Sequence, residues 1–254
     1  MIKAVLPGDG GFLAAADTPD PYGAIHTACW ALYGGDGGPP RFWRTVQGGL
    51  LSLSGDRLTV SGAPGDPEEL AAFCAISGAQ KLRGPRTAVE KAAALLGWQV
   101  QVRQILSGQG TLCPHPPPEG FCKPSPRQVY PLLSAVFGLP QADFAPWYCE
   151  TSHKLRHNQG RLLGVLAGGE IVSTAGIYHQ NSGAALISSV ATARPYRGRG
   201  YAAALVRALA QWAQDEGKIP FVICHNPAAL SVYRQVGFAP WGEEWVCLRK
   251  AGLL

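Results

Sequence analysis

The 254-residue chain is long enough for one large domain or two small ones, and 46% hydrophobic against 15% charged residues supplies a packed core, which excludes disorder and coiled coil. The 32 glycines and 21 prolines lack the third-position period of collagen, and a formal charge of +5 spread without a Lys/Arg block gives no indication of nucleic acid. No apolar run reaches the length of a membrane span and Met1 to Phe12 lacks a secretory pattern, so no membrane association and a cytoplasmic location are expected. The seven cysteines read as scattered reduced thiols. Cys113, His115 and Cys122 could offer three zinc ligands but no obvious fourth, so no metal is expected.

In chain order, Arg41 to Val60 reads as a strand pair turning at Ser54-Gly55-Asp56. Pro67 to Ile76 and Thr87 to Leu96 have helical spacing, and a strand follows near Gln99 to Leu106. This alternating half carries no obvious chemical motif. The stretch Cys113 to Cys122, with Pro124 and Pro126 beyond it, lacks so many amide donors that an extended linker over 113–126 is expected. The linker separates an N-terminal α/β domain, 1–112, from a C-terminal domain, 127–254.

Beyond the linker, Arg161 to Ala167, Ile171 to His179 and Ala184 to Thr192 form three apolar strand-like runs with short turns at Gly168-Gly169 and Asn181-Ser182-Gly183, which predicts an antiparallel meander. Tyr201 to Asp215 places Leu205, Leu209 and Trp212 on one helical face, and Gly217 suits its end. Phe221 to Cys224 reads as a short buried strand. Asn226 followed by Pro227 is an N-cap with proline at the first helical position, and that helix runs to Gly237.

Between the third strand and its helix lies Val190-Ala191-Thr192, then Arg197-Gly198-Arg199-Gly200-Tyr201-Ala202. Such a turn gathers unpaired backbone amides at a positive helix end, and glycine lets the backbone approach anionic oxygens; a pyrophosphate suits it. Gly198-x-Gly200-x-x-Ala203 also satisfies a loose dinucleotide fingerprint. That reading fails because five residues separate Thr192 from Gly198, the next strand ends in Cys224-His225-Asn226 rather than an acid, and the preceding strands form antiparallel hairpins.

Arg197-x-x-Gly200-x-Ala202 resembles the pyrophosphate motif of the GNAT N-acetyltransferase superfamily. Phe221 to Phe238, with Asn226, Tyr233 and Gly237 in place, is similar to that family's fifth strand, following helix and Gly-Phe ending. The resemblance covers about the last 70 residues strongly and the meander from Arg161 plausibly. It implies an α/β (α+β) fold with a mixed, mostly antiparallel central sheet flanked by helices. It also implies binding of acetyl-CoA by Val190, Ala191, Thr192, Arg197, Gly198, Arg199, Gly200, Tyr201, Ala202, Asn226 and Tyr233. The strands Ala184 to Thr192 and Phe221 to His225 are expected to part around the pantetheine arm, with a backbone amide of the former holding the oxyanion. Tyr233 is the expected general acid for the departing thiolate; the competing reading is a core tyrosine.

The general base is less legible, because Ser188 and Ser189 stand where some relatives place glutamate. Glu150, His179, His225 and a water chain are the candidates, and Cys224 reads as a packing thiol. The expected activity is acetyl transfer to a small-molecule or peptide primary amine by direct attack, in a monomer or homodimer. A non-catalytic acyl-CoA sensor or scaffold is the alternative. Asp143, Phe144, Trp147, Tyr148 and Glu150, or Trp241 to Trp245, are candidates to line the acceptor pocket. The element order over 41–106 hints at a degenerate second copy of the same fold without a coenzyme site. Its nearest basic glycine turn, Lys81 to Arg86, is interrupted by Pro85.

Overall fold

The computed structural model describes residues 1–6, 8–34 and 41–249. The N-terminal half runs β1 (Ile2–Ala4), α1 (Gly10–Ala16), α2 (Pro21–Tyr33), β2 (Phe42–Thr45), β3 (Leu50–Ser54), β4 (Arg57–Ser61), α3 (Pro67–Ile76), β5 (Lys81–Pro85), α4 (Arg86–Leu96) and β6 (Gln99–Ser107). The C-terminal half repeats that order: β7 (Phe121–Cys122), α5 (Pro126–Phe137), α6 (Phe144–Arg156), β8 (Arg161–Ala167), β9 (Glu170–Gln180), β10 (Ala184–Thr192), α7 (Tyr201–Asp215), β11 (Ile219–Cys224), α8 (Pro227–Val236) and β12 (Ala239–Leu248). Each half therefore contains one strand, two helices, an antiparallel meander, a crossover helix to a parallel strand, and a last helix and strand.

The two halves share one 12-stranded sheet in the order β1-β2-β3-β4-β5-β12-β6-β11-β10-β9-β8-β7. Each half hands its last strand to the other: β6 pairs with β11, and β12 pairs with β5 and β6. The sheet is mostly antiparallel, with parallel pairs only at β4–β5 and β10–β11 among the described residues.

Local chemistry explains the boundaries. Ser125 and Gln128 form a reciprocal capping box at the start of α5, with Pro126 at the first helical position. Asp20 caps α2 by accepting from the amides of Tyr22 and Gly23. The strand pair expected over 41–60 is in fact a three-stranded meander, because Val46 to Gly49 bends the first arm into β2 and β3 and Gly48 takes a positive φ of 87°. Most of residues 113–126 carries no helix or strand, but Phe121 and Cys122 pair with Val165 and Gly164 as an edge strand, and Pro126 opens α5.

α7 covers one face of the C-terminal part of the sheet with Leu205, Val206 and Leu209 against Ile177, Ile187 and Val222. On the opposite face, α1 and α2 pack Phe12, Tyr22 and Ile25 against Leu50 of one half and Ala184, Leu186 and Phe221 of the other. This shared core couples the halves. The α1–α2 loop is pinned to the β9–β10 turn, where the Asn181 side chain donates to the Thr18 carbonyl at 2.7 Å and Ser182 bonds the Asp17 carboxylate.

Candidate active site

β10 and β11 pair in parallel from Ala184↔Ile219 to Ile187↔Val222 and no further. Past that rung the two strands separate, and burial falls from complete to partial at Ser188, Ser189 and Val190 on one side and Ile223 and Cys224 on the other. The parting has a local cause. Between Ser188 and Ala191, β10 spends three steps against the two from Gly176 to Thr174 of β9, so it carries a bulge, and Ser189 sits there with φ of 53°. An extra residue breaks the ladder and leaves backbone donors without a partner in it.

The chain leaves β10 through a short 3-10 turn, Arg194–Tyr196, and enters α7 at Gly200. Gly198 and Gly200 have φ of 77° and 78°, the left-handed region, and a Cβ on either would meet nothing within 4 Å. The turn thus presents bare, open backbone. Among the described residues no side chain caps the N-terminus of α7, and the first-turn amides of Tyr201, Ala202 and Ala203 have no intrahelical partner to take their place. Arg197 Nε donates to the Thr192 carbonyl at 3.1 Å, and the Arg199 guanidinium lies 5.0 Å from the Tyr196 ring centre, which holds both arginines beside the turn. Uncapped donors, a helix dipole and fixed cations are what an anionic phosphate needs.

Tyr233 projects from α8 into the core below the gap, 6% exposed. Burial, and then the neighbouring Cys224, push its hydroxyl well above the ordinary tyrosine value, so it keeps its proton. Asn226 uses its Oδ1 to cap α8, accepting from the Ala228 amide at 2.9 Å. Cys224 ends β11 with its thiol raised by burial, a protonated packing group rather than a nucleophile.

The three base candidates separate. Glu150 is paired with Lys154 at 2.5 Å on α6. His179 lies opposite Leu186, on the paired part of β10, and burial drives its imidazole far below the usual value, with Lys154 and the arginines Arg83 and Arg57 adding to the effect. Only His225, exposed at the end of β11, stands at the mouth of the gap. The aromatic residues suggested for an acceptor pocket also divide. Phe144, Tyr148 and Trp147 pack with Tyr130 between α5 and α6, while Trp241 rests on Phe221 and Trp245 lies among the α3–α4 core residues. Cys113, His115 and Cys122 are not gathered into a metal-ligand group among the described residues.

Tyr178 was not legible as a site residue. It is the bulged residue of β9, folded back so that a Cβ on Gly176 would meet its Oη at 2.7 Å, next to Ser188 in the ladder. Its hydroxyl is buried without a hydrogen-bond partner among the described residues. A bulge in each of two paired strands leaves no periodic signal, so the sequence could not show it.

The equivalent position in the N-terminal half is the connection from β4 to α3. Asp66 caps α3 by accepting from the Glu68 amide, Pro67 removes a donor at the first position, and Glu68 and Glu69 fill the first turn. The basic segment Lys81 to Arg86, singled out from sequence, is instead the strand β5 and the start of α4.

Residues 127–238 match the model of the acetyltransferase (GNAT) family. That segment is similar to the GNAT family. Solved structures with the same fold span nearly the whole chain. A GCN5-related N-acetyltransferase from Sphaerobacter thermophilus covers 100% of this chain and 97% of its own, with TM-score 0.61 and 18% identity. A tandem GNAT protein from the clavulanic acid biosynthesis pathway covers 100% and 99%, with TM-score 0.60 and 13% identity. A GNAT-family acetyltransferase from Novosphingobium aromaticivorans covers 85% and 92%, with TM-score 0.58 and 21% identity. No curated protein matches the chain. The GNAT fold is thus present with a second half of like topology before it, and acyl-CoA-dependent transfer is the general activity of the family matched. Among the described residues, no helix is long and apolar enough to cross a membrane.

Proposed function

We propose that this protein transfers an acetyl group from acetyl-CoA to a primary amine by direct attack, at the gap between β10 and β11. The observation that carries the reading is the loss of β10–β11 pairing after Ile187↔Val222, directly beside an uncapped helix entered through two open glycines. Gly198, Arg199, Gly200, Tyr201 and Ala202 would hold the pyrophosphate, with Arg197 beside them, and Val190, Ala191 and Thr192 would pair with the pantetheine arm. Asn226 and Tyr233 would flank the sulfur. The coenzyme supplies the acyl thioester. As the amine nitrogen bonds to the carbonyl carbon, bulge amides take up the developing oxyanion charge; Tyr233 then gives its proton to the sulfur as the C–S bond breaks. The proton lost by the amine passes to water or His225.

The N-terminal half, proposed as a domain over 1–112 joined through 113–126, is read as a copy that does not bind the coenzyme. Support comes from the capped, acidic N-terminus of α3, which repels phosphate where α7 would attract it.

Calorimetry with acetyl-CoA, followed by thiol release with a panel of amines, tests the reading. Binding with turnover on some amine supports it. Tight binding without turnover would favour an acyl-CoA sensor, a reading supported by Glu150 being tied to Lys154 and by half-buried His179 lying on the paired part of the sheet.

A further inference from the structure

On the sheet face that carries α2, a row of charged residues crosses the strands exchanged between the halves. Glu244 of β12 is opposite Arg103 of β6, and Arg103 lies one residue beyond the Gln104↔Cys224 pair, at the open end of the gap. The Glu244 side chain is 0% exposed, and its two oxygens lie 3.9 Å from Arg83 and 3.7 Å from Arg103. Neither oxygen accepts a hydrogen bond among the described residues, and the buried Tyr22 hydroxyl above them also lacks a partner. The arginines spend donors elsewhere: Arg83 Nε on Thr59 at 3.0 Å, and Arg103 on Gln101 at 3.1 and 3.3 Å. In strand order Arg57 on β4 is exposed, Arg83 12%, Glu244 0% and Arg103 one-third exposed, so the row reaches solvent at both ends.

Two guanidinium groups flank one carboxylate here, and Arg57 lies farther along the same face. The nearby acids do not balance them, because Asp56 pairs with Lys81 at 3.1 Å and Glu150 with Lys154 at 2.5 Å. The charge is felt by a neighbour: desolvation first and Arg83 second push the His26 imidazole below its ordinary value. Two arginines that share one carboxylate keep a net positive charge, and a buried carboxylate with unused lone pairs beside them adds to the cost unless a ligand completes the group.

We propose that Arg57, Arg83 and Arg103 hold a carboxylate or phosphate group of the acceptor amine. This rests on the acetyl-transfer reading of the adjoining gap. Arg103 stands on β6, next to β11, and Arg83 and Arg57 on β5 and β4 farther along the sheet, so the anion and the nucleophilic nitrogen belong at opposite ends of an extended molecule. The N-terminal half, through Arg57 and Arg83, thereby selects the substrate of the C-terminal one.

The test compares 5-aminopentanoate, 5-aminopentyl phosphate and the neutral 5-aminopentanol as acceptors in thiol release, with wild type, Arg57→Met and Arg103→Met. The expected result is a KM at least tenfold lower for one or both anionic amines than for the alcohol, with the variants erasing that difference and leaving the alcohol's KM unchanged. Equal KM values for all three amines, preference for the alcohol, or variants that weaken all three alike would overturn it. Calorimetric binding of 5-aminopentanoate and 5-aminopentyl phosphate to the protein with CoA present reads the same site without turnover. Binding lost in the variants upholds the anion site even if no amine is acetylated, whereas no binding to wild type removes it even if acetyl-CoA binds and other amines react.

Discussion

Asn181 and Thr18 are 163 residues apart in sequence and joined by a 2.7 Å hydrogen bond from the Asn181 amide to the Thr18 carbonyl. The same side chain accepts from the amides of Gly183 and Ala184 at 3.1 and 2.7 Å, so one buried residue shapes the β9–β10 turn and ties it to the N-terminal half. Asn181→Ala leaves these buried groups without partners and should cost about 2–3 kcal/mol, read as a lower denaturant midpoint. An unchanged midpoint would show that the α1–α2 loop docks by apolar packing alone.

Gly200 enters α7 with φ of 78° in open space. Gly200→Val forces a β-branched side chain into a left-handed conformation and covers the backbone that is to meet phosphate. Its dissociation constant for acetyl-CoA should rise at least tenfold in a protein that still unfolds cooperatively. Unchanged affinity would remove the turn from the coenzyme site.

Tyr233→Phe should lower kcat by about 10- to 100-fold while leaving acetyl-CoA affinity within twofold, the pattern of a group used after binding. Burial raises the Tyr233 hydroxyl above its ordinary value near 10, so it remains protonated through neutral and mildly alkaline pH. The kcat profile of the wild type should therefore show no decline from this residue below about pH 10. Full activity in the variant would discard the acid role.

His26 is fully buried between Ser52 and Ser61, at 2.8 and 3.0 Å, and desolvation followed by the Arg83 charge lowers its imidazole to about 3. The unfolded chain takes up a proton near 6.5 that the folded protein refuses, so stability is complete above that value and declines as pH falls toward 3. By pH 5 the loss is about 2 kcal/mol from this residue. Thermal melts from pH 7.5 to 5 should show a falling midpoint, and His26→Gln should flatten that slope even though it is less stable at neutral pH. The same slope in both proteins would place the acid sensitivity elsewhere.

The residues that carry local geometry were legible in the sequence. Gly198 and Gly200 before an apolar helix, Asn226-Pro227 opening another, and the short turns of the meander each act within a few positions along the chain. They placed the C-terminal fold and the candidate coenzyme turn. In the N-terminal half the same reasoning found α3, α4 and β6 but joined β2 and β3, because strands of four and five residues leave too little alternation to count.

What only the tertiary structure decided is which strands lie side by side. Nothing in the pattern of β6 or β12 states that each pairs with the other half, because period-two alternation fixes a strand's faces and not its neighbour. That exchange brings Arg83, Arg103 and Glu244 together from positions far apart in the chain. The bulges that part β10 from β11 and fold Tyr178 over Gly176 arise in the same way, since they depend on register between strands. The amino-acid sequence by itself determined the glycine turn proposed to face the phosphates, whose donors are consecutive residues. The proposed acceptor site is set by long-range pairing, and therefore only by the fold.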